Sequence, residues 1–317
     1  MPTTAARDFL ALEGLSASEL TGWLDDADAM LPHAVGRPFA GPLPLAGKVV
    51  ANIFFEDSTR TRCSFEIAAK RLGGEVTNLG ASGSSASKGE TLLDTAKNIE
   101  AMGVDAIVVR SAISGAAAML AEQIDTPVIN AGDGRHEHPT QGILDLLTLR
   151  RHFAQAFGSG SFTGRTVAIV GDIANSRVAR SATHGLVTLG ATVLLIGPPT
   201  LVSSDYAQLS RGAGSIEVGN DLDGVLARLD AIMMLRIQLE RAAGSGVAPD
   251  FRSLYGLTES RASRLPERCA ILHPGPVNRG VEIDEAVADD PRASRILAQV
   301  TAGVATRMAV LRRVIVG

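Results

Sequence analysis

Cysteine is nearly missing from this sequence. Two cysteines, Cys63 and Cys269, stand among 317 residues, too few for a disulfide framework and without the paired spacing of a metal site. Long apolar runs are missing as well. No stretch is long enough to span a bilayer, and Met1-Pro2-Thr3-Thr4-Ala5-Ala6-Arg7 lacks the apolar core of a secretory signal, so a cytoplasmic protein with no membrane partner is expected. Nor is there a block of basic charge. Lys and Arg number 30 against 34 Asp and Glu, for a net charge of -4, which gives no reason to expect a nucleic-acid partner. Two nucleotide signatures also fail. Gly83 is followed by Ser-Ser-Ala-Ser-Lys rather than the spacing of a P-loop, and Gly171-Asp172-Ile173-Ala174-Asn175-Ser176-Arg177 lacks the glycine spacing of a dinucleotide fingerprint. No cofactor is expected. His136 and His138, with Asp133 and Glu137 close by, form an H-x-H without a clear third ligand, so no metal is expected either.

What the chain does have is centred on residues 49–67. Val49-Val50-Ala51-Asn52-Ile53-Phe54-Phe55 is a short apolar run of the kind a buried parallel strand needs, and Asp57 or Ser58 supplies a helix-capping oxygen directly after it. A strand running straight into a helix aims the helix's unpaired N–H groups and its positive dipole end at one spot. Ser58, Thr59, Arg60, Thr61 and Arg62 surround that spot with hydroxyls and guanidiniums, and a phosphate is the ligand such a turn suits. Cys63, on the same helix, reads as a core residue.

Along the chain, Leu20, Trp23, Leu24, Ala27 and Leu31 repeat at helical spacing. After the central helix, Gly73-Gly74 is a stop and Glu75 to Leu79 a second strand. Gly80 to Gly89 is a loop of Gly, Ala and Ser, and Glu90 to Met102 is helical. Val104 to Arg110 is a buried strand ending in arginine, where open parallel sheets place their ligands. A helix near Ser114 to Gln123 and a strand Val128-Ile129-Asn130 complete a first doubly wound domain. His138 then precedes Pro139 at the start of another helix, where the positive dipole end favours a neutral imidazole able to donate to a carbonyl oxygen.

Residues 154–165 are rich in Gly and Ser and mark a domain boundary. The strand-helix rhythm restarts with a strand at Thr166 to Asp172, a helix at Ser176 to Leu189 and a strand at Ala191 to Ile196. Arg177 stands at a strand-to-helix junction as Arg60 does. Asp230 to Arg236 is another strand ending in arginine, and Cys269 to Leu272 leads into the turn His273-Pro274-Gly275-Pro276. Asp290-Pro291 opens a last helix with Ile296, Val300, Val304, Met308, Leu311 and Ile315 along one face. The expected fold is α/β: two doubly wound parallel-sheet domains, residues 1–150 and 151–290, with the helix at 291–317 returning to the first. Cations at strand ends, hydroxyls, one histidine and no evident general base suit polyanionic substrates and a reaction driven by positioning and charge stabilisation.

The strings Phe54 to Arg62, Ser87-Lys88-Gly89-Glu90-Thr91, His138-Pro139-Thr140-Gln141, Arg236 to Arg241 and His273 to Gly280 resemble, in this order, those of the aspartate carbamoyltransferase catalytic chains. The related ornithine enzymes typically show His-Pro-Cys-Gln and His-Cys-Leu-Pro where this chain has Thr140 and Gly275, which favours aspartate. The resemblance implies transfer of the carbamoyl group of carbamoyl phosphate to the amine of L-aspartate, in de novo pyrimidine biosynthesis. It implies that Ser58, Thr59, Arg60 and Thr61, with Arg110, His138 and Gln141, bind carbamoyl phosphate. Arg177, Arg236 and Gln238 would bind aspartate, with the Gly275-Pro276 turn on the amine and carbamoyl group. Ser84 and Lys88 would reach in from a neighbouring subunit of a homotrimer, so that active sites are shared. Arg60, Thr61, Lys88, Arg110 and His138 would be the catalytic set, and closure of the domains would exclude water. A scaffold homologue without activity and a generic anion-binding protein stay open at this point, as does association with regulatory chains or a dihydroorotase.

Overall fold

The structure, a computed structural model, describes residues 8–56, 58–80, 90–237 and 251–317. The chain divides into two compact units. One comprises the chain up to Gly14, Thr21–Leu144 and Thr301–Gly317, and the other Leu15–Leu20 and Asp145–Val300.

In the first unit, β1 (Val49–Phe54), β2 (Glu75–Gly80), β3 (Ala106–Ser111) and β4 (Val128–Asp133) form a four-stranded sheet in the order β2-β1-β3-β4, and every pairing is parallel. Helices α2 (Thr59–Arg71), α3 (Leu92–Ala101) and α4 (Ala116–Ala121) make the crossovers that parallel pairing demands. Because both faces are covered, β1 is buried almost from end to end rather than in alternation. Ala51, Ile53, Ile107, Val109 and Val128 pack with Ala96 and Ile99 of α3 and with Ala117 and Leu120 of α4. Helix α3 starts later than its apolar periodicity suggests. Thr91 caps it through a reciprocal pair with Asp94, which fixes the first helical residue at Leu92.

In the second unit, β5 (Thr166–Val170), β6 (Thr192–Ile196), β7 (Ser215–Gly219), β8 (Ala231–Met234) and β9 (Ala270–Leu272) form a five-stranded parallel sheet in the order β7-β6-β5-β8-β9. Helix α6 (Arg177–Thr188) connects β5 to β6, and the short helices α7 (Phe251–Tyr255), α8 (Glu259–Ala262) and α9 (Glu285–Ala288) lie around β9 in the chain. Ala168, Val170, Ile232 and Met234 pack with Leu222, Leu226, Phe251, Leu257 and Val287 on the sheet. The alternating string Ser215-Ile216-Glu217-Val218-Gly219 is an edge strand with its polar residues exposed, a period-two signal the sequence reading passed over.

Two boundaries differ from expectation. Helix α5 (Pro139–Phe157) runs on into the stretch read as a linker, and it ends at Gly158, whose φ of +75° is a left-handed helix stop. Phe153 and Phe157 carry the helix that far, with ring centroids 5.9 Å apart and the Arg165 guanidinium 3.8 Å over Phe157. The last helix, α10, spans Ile296–Ile315 and begins five residues later than Pro291. Ala293 and Arg295 instead bond along β9, Ile271 N–H donating to Ala293 O and Arg295 N–H to Ile271 O. Val300, placed on the apolar face, is 52% exposed, and the buried stripe runs through Ala302, Ala305, Met308 and Ala309. The α10 residues from Thr301 onward belong to the first unit. No described helix is long and apolar enough to cross a membrane.

Both sheets are pinned at the strands' amino ends by the same device. Asp105, just before β3, accepts the Val49 N–H of β1 at 2.8 Å and the Lys48 ammonium at 2.9 Å. Asp230, just before β8, accepts the Thr166 N–H of β5 at 2.8 Å and faces Arg165 at 3.4 Å. Each carboxylate ties the two central strands of its sheet together through a backbone donor. The Lys48 ammonium, with its side chain 42% exposed, adds little because solvent screens it. Asp105→Ala and Asp230→Ala are each expected to lower the unfolding free energy by about 1–3 kcal/mol, and Lys48→Ala by less than about 1 kcal/mol, read by urea titration. Equal costs for Lys48→Ala and Asp105→Ala would show that the ion pair, not the backbone bond, holds the edge.

Candidate active site

In an open parallel sheet, ligands bind beyond the carboxyl ends of the strands, where the strand order reverses. That point lies between β1 and β3 in the first unit, and between β5 and β8 in the second. Among the described residues, Ser58 to Thr61 and Arg110 fall at the first point, and Arg177 and Arg236 at the second.

In the first unit, β1 passes through Phe55 and Glu56 into α2. Ser58 holds the N-cap position, extended with φ -159° and ψ 86°, yet its side chain makes no capping hydrogen bond. Of the two capping oxygens the sequence offers, the one of Ser58 is not used, and Asp57 lies outside the described residues. Ser58 O accepts the Arg62 N–H at 3.1 Å, so α2 begins at Thr59, and the N–H groups of a first helical turn are not satisfied by the helix itself. Thr59 and Arg60 are exposed, while Thr61 is buried. Arg110 stands opposite Phe54 in the β1–β3 register, and its carbonyl accepts the Phe55 N–H at 2.9 Å. Its guanidinium is oriented from behind: Nη1 donates to Ala131 O at 3.1 Å, and Nε lies 3.6 Å from Glu56 Oε2. Neither Glu56 nor Ala131 was singled out from the sequence. Glu56 reaches Arg110 only once β1 lies beside β3, and Ala131 only once β4 does.

His138 occupies the N-cap of α5, its carbonyl accepting the Gln141 and Gly142 N–H groups at 2.9 and 3.1 Å. Both His138 and Gln141 are buried. Pro139 at the first helical position needs no N–H partner. The acids beside His138 have structural work. Glu137 accepts the Leu12 N–H on both oxygens, at 3.1 and 3.0 Å, and the Glu13 N–H at 2.9 Å. Asp133 accepts from Gly115 N at 2.7 Å and Asn130 Nδ2 at 2.8 Å, and meets His136 Nδ1 at 3.1 Å. Gly134 turns sharply beside it, where a Cβ would lie 2.5 Å from Ser114 N.

In the second unit, Arg177 opens α6, and here the cap is made: Ser176 Oγ accepts the Ala179 N–H at 3.1 Å. Asp172, at the end of β5, holds Asn175 through its backbone N–H and side-chain amide at 3.2 and 2.8 Å. Arg236 follows β8 by two residues, and the adjoining Leu235 N–H donates to Val170 O of β5 at 2.8 Å. After β9 the chain enters His273-Pro274-Gly275-Pro276, with a cis peptide between Gly275 and Pro276. Ser84, Lys88 and Gln238 lie outside the described residues. Ser58 to Thr61, Arg110, His138 and Gln141 thus cluster at three neighbouring strand ends of one sheet, while Arg177 and Arg236 flank the switch point of the other.

Comparison with known proteins agrees along the chain. The family model for the aspartate/ornithine carbamoyltransferase carbamoyl-P binding domain matches residues 7–151. The model for the Asp/Orn binding domain of the same enzymes matches residues 163–314. The aspartate carbamoyltransferase catalytic subunit of Myxococcus xanthus is 52% identical over 307 residues, covering 96% of this chain and 98% of that protein. That of Granulibacter bethesdensis is 50% identical over 306 residues, covering 95% and 92%. Among solved structures, aspartate transcarbamoylase from Trypanosoma cruzi in complex with carbamoyl phosphate and aspartate aligns with a TM-score of 0.83 at 30% identity, covering 97% of this chain and 96% of that one. The catalytic subunit of M. jannaschii aspartate transcarbamoylase aligns with a TM-score of 0.82 at 32% identity, covering 98% of each.

The two thiols differ sharply. Cys63, read from the sequence as core, is exposed on α2 just after Ser58 to Thr61, because the buried face of that helix runs through Thr61, Phe65, Ala68 and Ala69. Cys269 is buried, and burial, with Asp230 adding to it, pushes its thiol up to about 12. The thiolate is the reactive form. A disulfide reagent near neutral pH is therefore expected to label one thiol per native chain, and the second only in denaturant. Cys63→Ser should abolish the native reaction, whereas two thiols labelled without denaturant would contradict this picture.

Proposed function

Because the chain belongs to the aspartate/ornithine carbamoyltransferase family, we infer that it transfers the carbamoyl group of carbamoyl phosphate to the α-amine of L-aspartate. The products are N-carbamoyl-L-aspartate and phosphate, and the reaction serves de novo pyrimidine biosynthesis. The observation that carries this reading is the N-terminus of α2, which the Ser58 side chain does not cap, at the switch point of its sheet, with Arg110 held at the adjacent strand end. Backbone N–H groups, a dipole end and a guanidinium aimed at one spot are the elements a phosphate needs.

In this reading the first unit is the carbamoyl phosphate domain and the second the aspartate domain. Ser58, Thr59, Arg60 and Thr61 hold the phosphate. Thr61, Arg110 and His138 stabilise the oxygen of the carbamoyl group as negative charge builds on it, and Gln141 completes the pocket. Arg177 and Arg236 take the two carboxylates of aspartate, a task that suits the planar guanidinium fork. Gln238 and the Gly275-Pro276 turn complete the acceptor site. The neutral amine attacks the carbamoyl carbon, a C–N bond forms, the C–O bond to phosphate breaks, and the departing phosphate takes the amine proton. No side chain has to act as general base, which fits a site built of cations and hydroxyls.

Assembly is part of the proposal. Ser84 and Lys88 act in the active site of a neighbouring chain of a homotrimer, in the cytoplasm. The aspartate preference rests on Thr140 and Gly275, which stand where ornithine enzymes have cysteines or leucine. The T. cruzi enzyme solved with carbamoyl phosphate and aspartate supports the same pair of substrates.

Purified protein given carbamoyl phosphate with aspartate, or with ornithine in parallel, is expected to yield carbamoylated product with aspartate alone. Product from ornithine alone would overturn the acceptor. His138→Ala is expected to lower kcat by about 100- to 1,000-fold, the usual loss of one oxyanion donor. Mixing Lys88→Ala chains with His138→Ala chains should restore part of the activity, because some mixed sites then carry both residues. Mixed trimers that stay inactive would place Lys88 in its own chain's site.

A further inference from the structure

In the second unit, two segments assigned above to aspartate converge on one buried carboxylate. Glu282 and the His273 ring are wholly enclosed, and Glu282 Oε1 lies 3.0 Å from His273 Nε2. The same oxygen accepts the Asn278 N–H at 2.6 Å. On the far side of the ring, Nδ1 accepts the Gly275 N–H at 2.8 Å. A nitrogen that accepts carries no proton, so the ring proton sits on Nε2 and is donated to Glu282. His273 is thereby fixed in tautomer and orientation, and the Gly275 peptide is fixed with it. The His273 backbone is also held, its N–H donating to Gln299 Oε1 at 2.9 Å while the Gln299 amide donates to Asp145 Oδ1 at 2.7 Å. Asn278 carries the other branch. Its Nδ2 donates to the Ile237 carbonyl at 2.9 Å, one residue beyond Arg236.

We propose that Glu282 is a positioning residue for the acceptor substrate, holding the Gly275-Pro276 turn through His273 and the Arg236-Ile237 segment through Asn278, so that the aspartate contacts are set as one body. This rests on the assignment of Arg236 and that turn to aspartate. An enclosed carboxylate is costly unless its charge is met by donors, and both donors here lead to aspartate-side segments. A carboxylate serving only the core would have no reason to be wired to two loops at the strand ends. Because both hydrogen bonds land on Oε1, a glutamine whose carbonyl oxygen takes that place keeps them, whereas alanine loses both.

The test is steady-state kinetics of Glu282→Ala, Glu282→Gln and Asn278→Ala, with each substrate varied, beside wild type and Arg236→Ala. Glu282→Ala and Asn278→Ala are expected to raise KM for aspartate about tenfold, the equivalent of one lost hydrogen bond, with KM for carbamoyl phosphate within about twofold. Glu282→Gln is expected to stay within about threefold of wild type. Asn278 is half-buried, so its variant decides the question alone if Glu282→Ala does not fold. An unchanged aspartate KM in the alanine variants, or an equal rise for both substrates, overturns the proposal while Arg236→Ala still raises aspartate KM. If Arg236→Ala itself leaves aspartate KM unchanged, the assignment of the acceptor site falls, and the proposal with it.

Discussion

Parallel pairing of the central strands is the constraint from which the rest follows. Parallel strands need a crossover between them, so every strand-to-helix turn of a sheet falls on the same edge. Where the order reverses, at β1/β3 and at β5/β8, adjacent turns leave in opposite directions and open a crevice. Register decides what lines it. With Phe54 paired to Arg110, the end of β1 and the arginine lie side by side, and a slip of one residue would turn the arginine to the other face. Asp105 and Asp230 guard that register from the opposite edge, each bonding the first N–H of the neighbouring strand.

The two sheets present their helix ends differently. Helix α2 has a serine at the N-cap that does not cap, while α6 has one that does. A phosphate brings oxygens enough to satisfy several N–H groups, so a capping side chain would compete with it. A carboxylate is smaller and is met well by a guanidinium fork, so a closed helix end with Arg177 as its first residue suits the aspartate site proposed for the second unit. The same βα turn can therefore recognise anions through backbone or through side chain.

Much of this was legible in the sequence, and what was hidden shares a physical cause. The run from Val49 to Phe55 followed by Ser58-Thr59-Arg60-Thr61 carries its meaning locally, as does an apolar strand ending in Arg110. Asp105 and Asp230 each stand before an apolar Ala-Ile pair, yet their use appears only when two distant strands lie side by side. Glu137 sits between two histidines and resembles a metal ligand, but its oxygens serve the N–H groups of Leu12 and Glu13. Thr91 and Asp94 were a local signal that apolar periodicity outweighed. The late start of α10 could not be read from Asp290-Pro291, since it depends on Ala293 and Arg295 finding partners on β9.

A site that gathers cations must also tolerate them before substrate arrives. Arg60 and Arg110 stand at neighbouring strand ends, and bringing two guanidiniums together is unfavourable without nearby negative charge. Glu56 meets Arg110 itself, while Asp133 and Glu137 are restrained by fixed donors. Glu137 is committed to two backbone N–H groups, Asp133 to Gly115, Asn130 and Glu137 N–H groups, and Glu56 lies 3.6 Å from the Arg110 Nε. A carboxylate held by fixed donors cannot swing forward to occupy the phosphate's place.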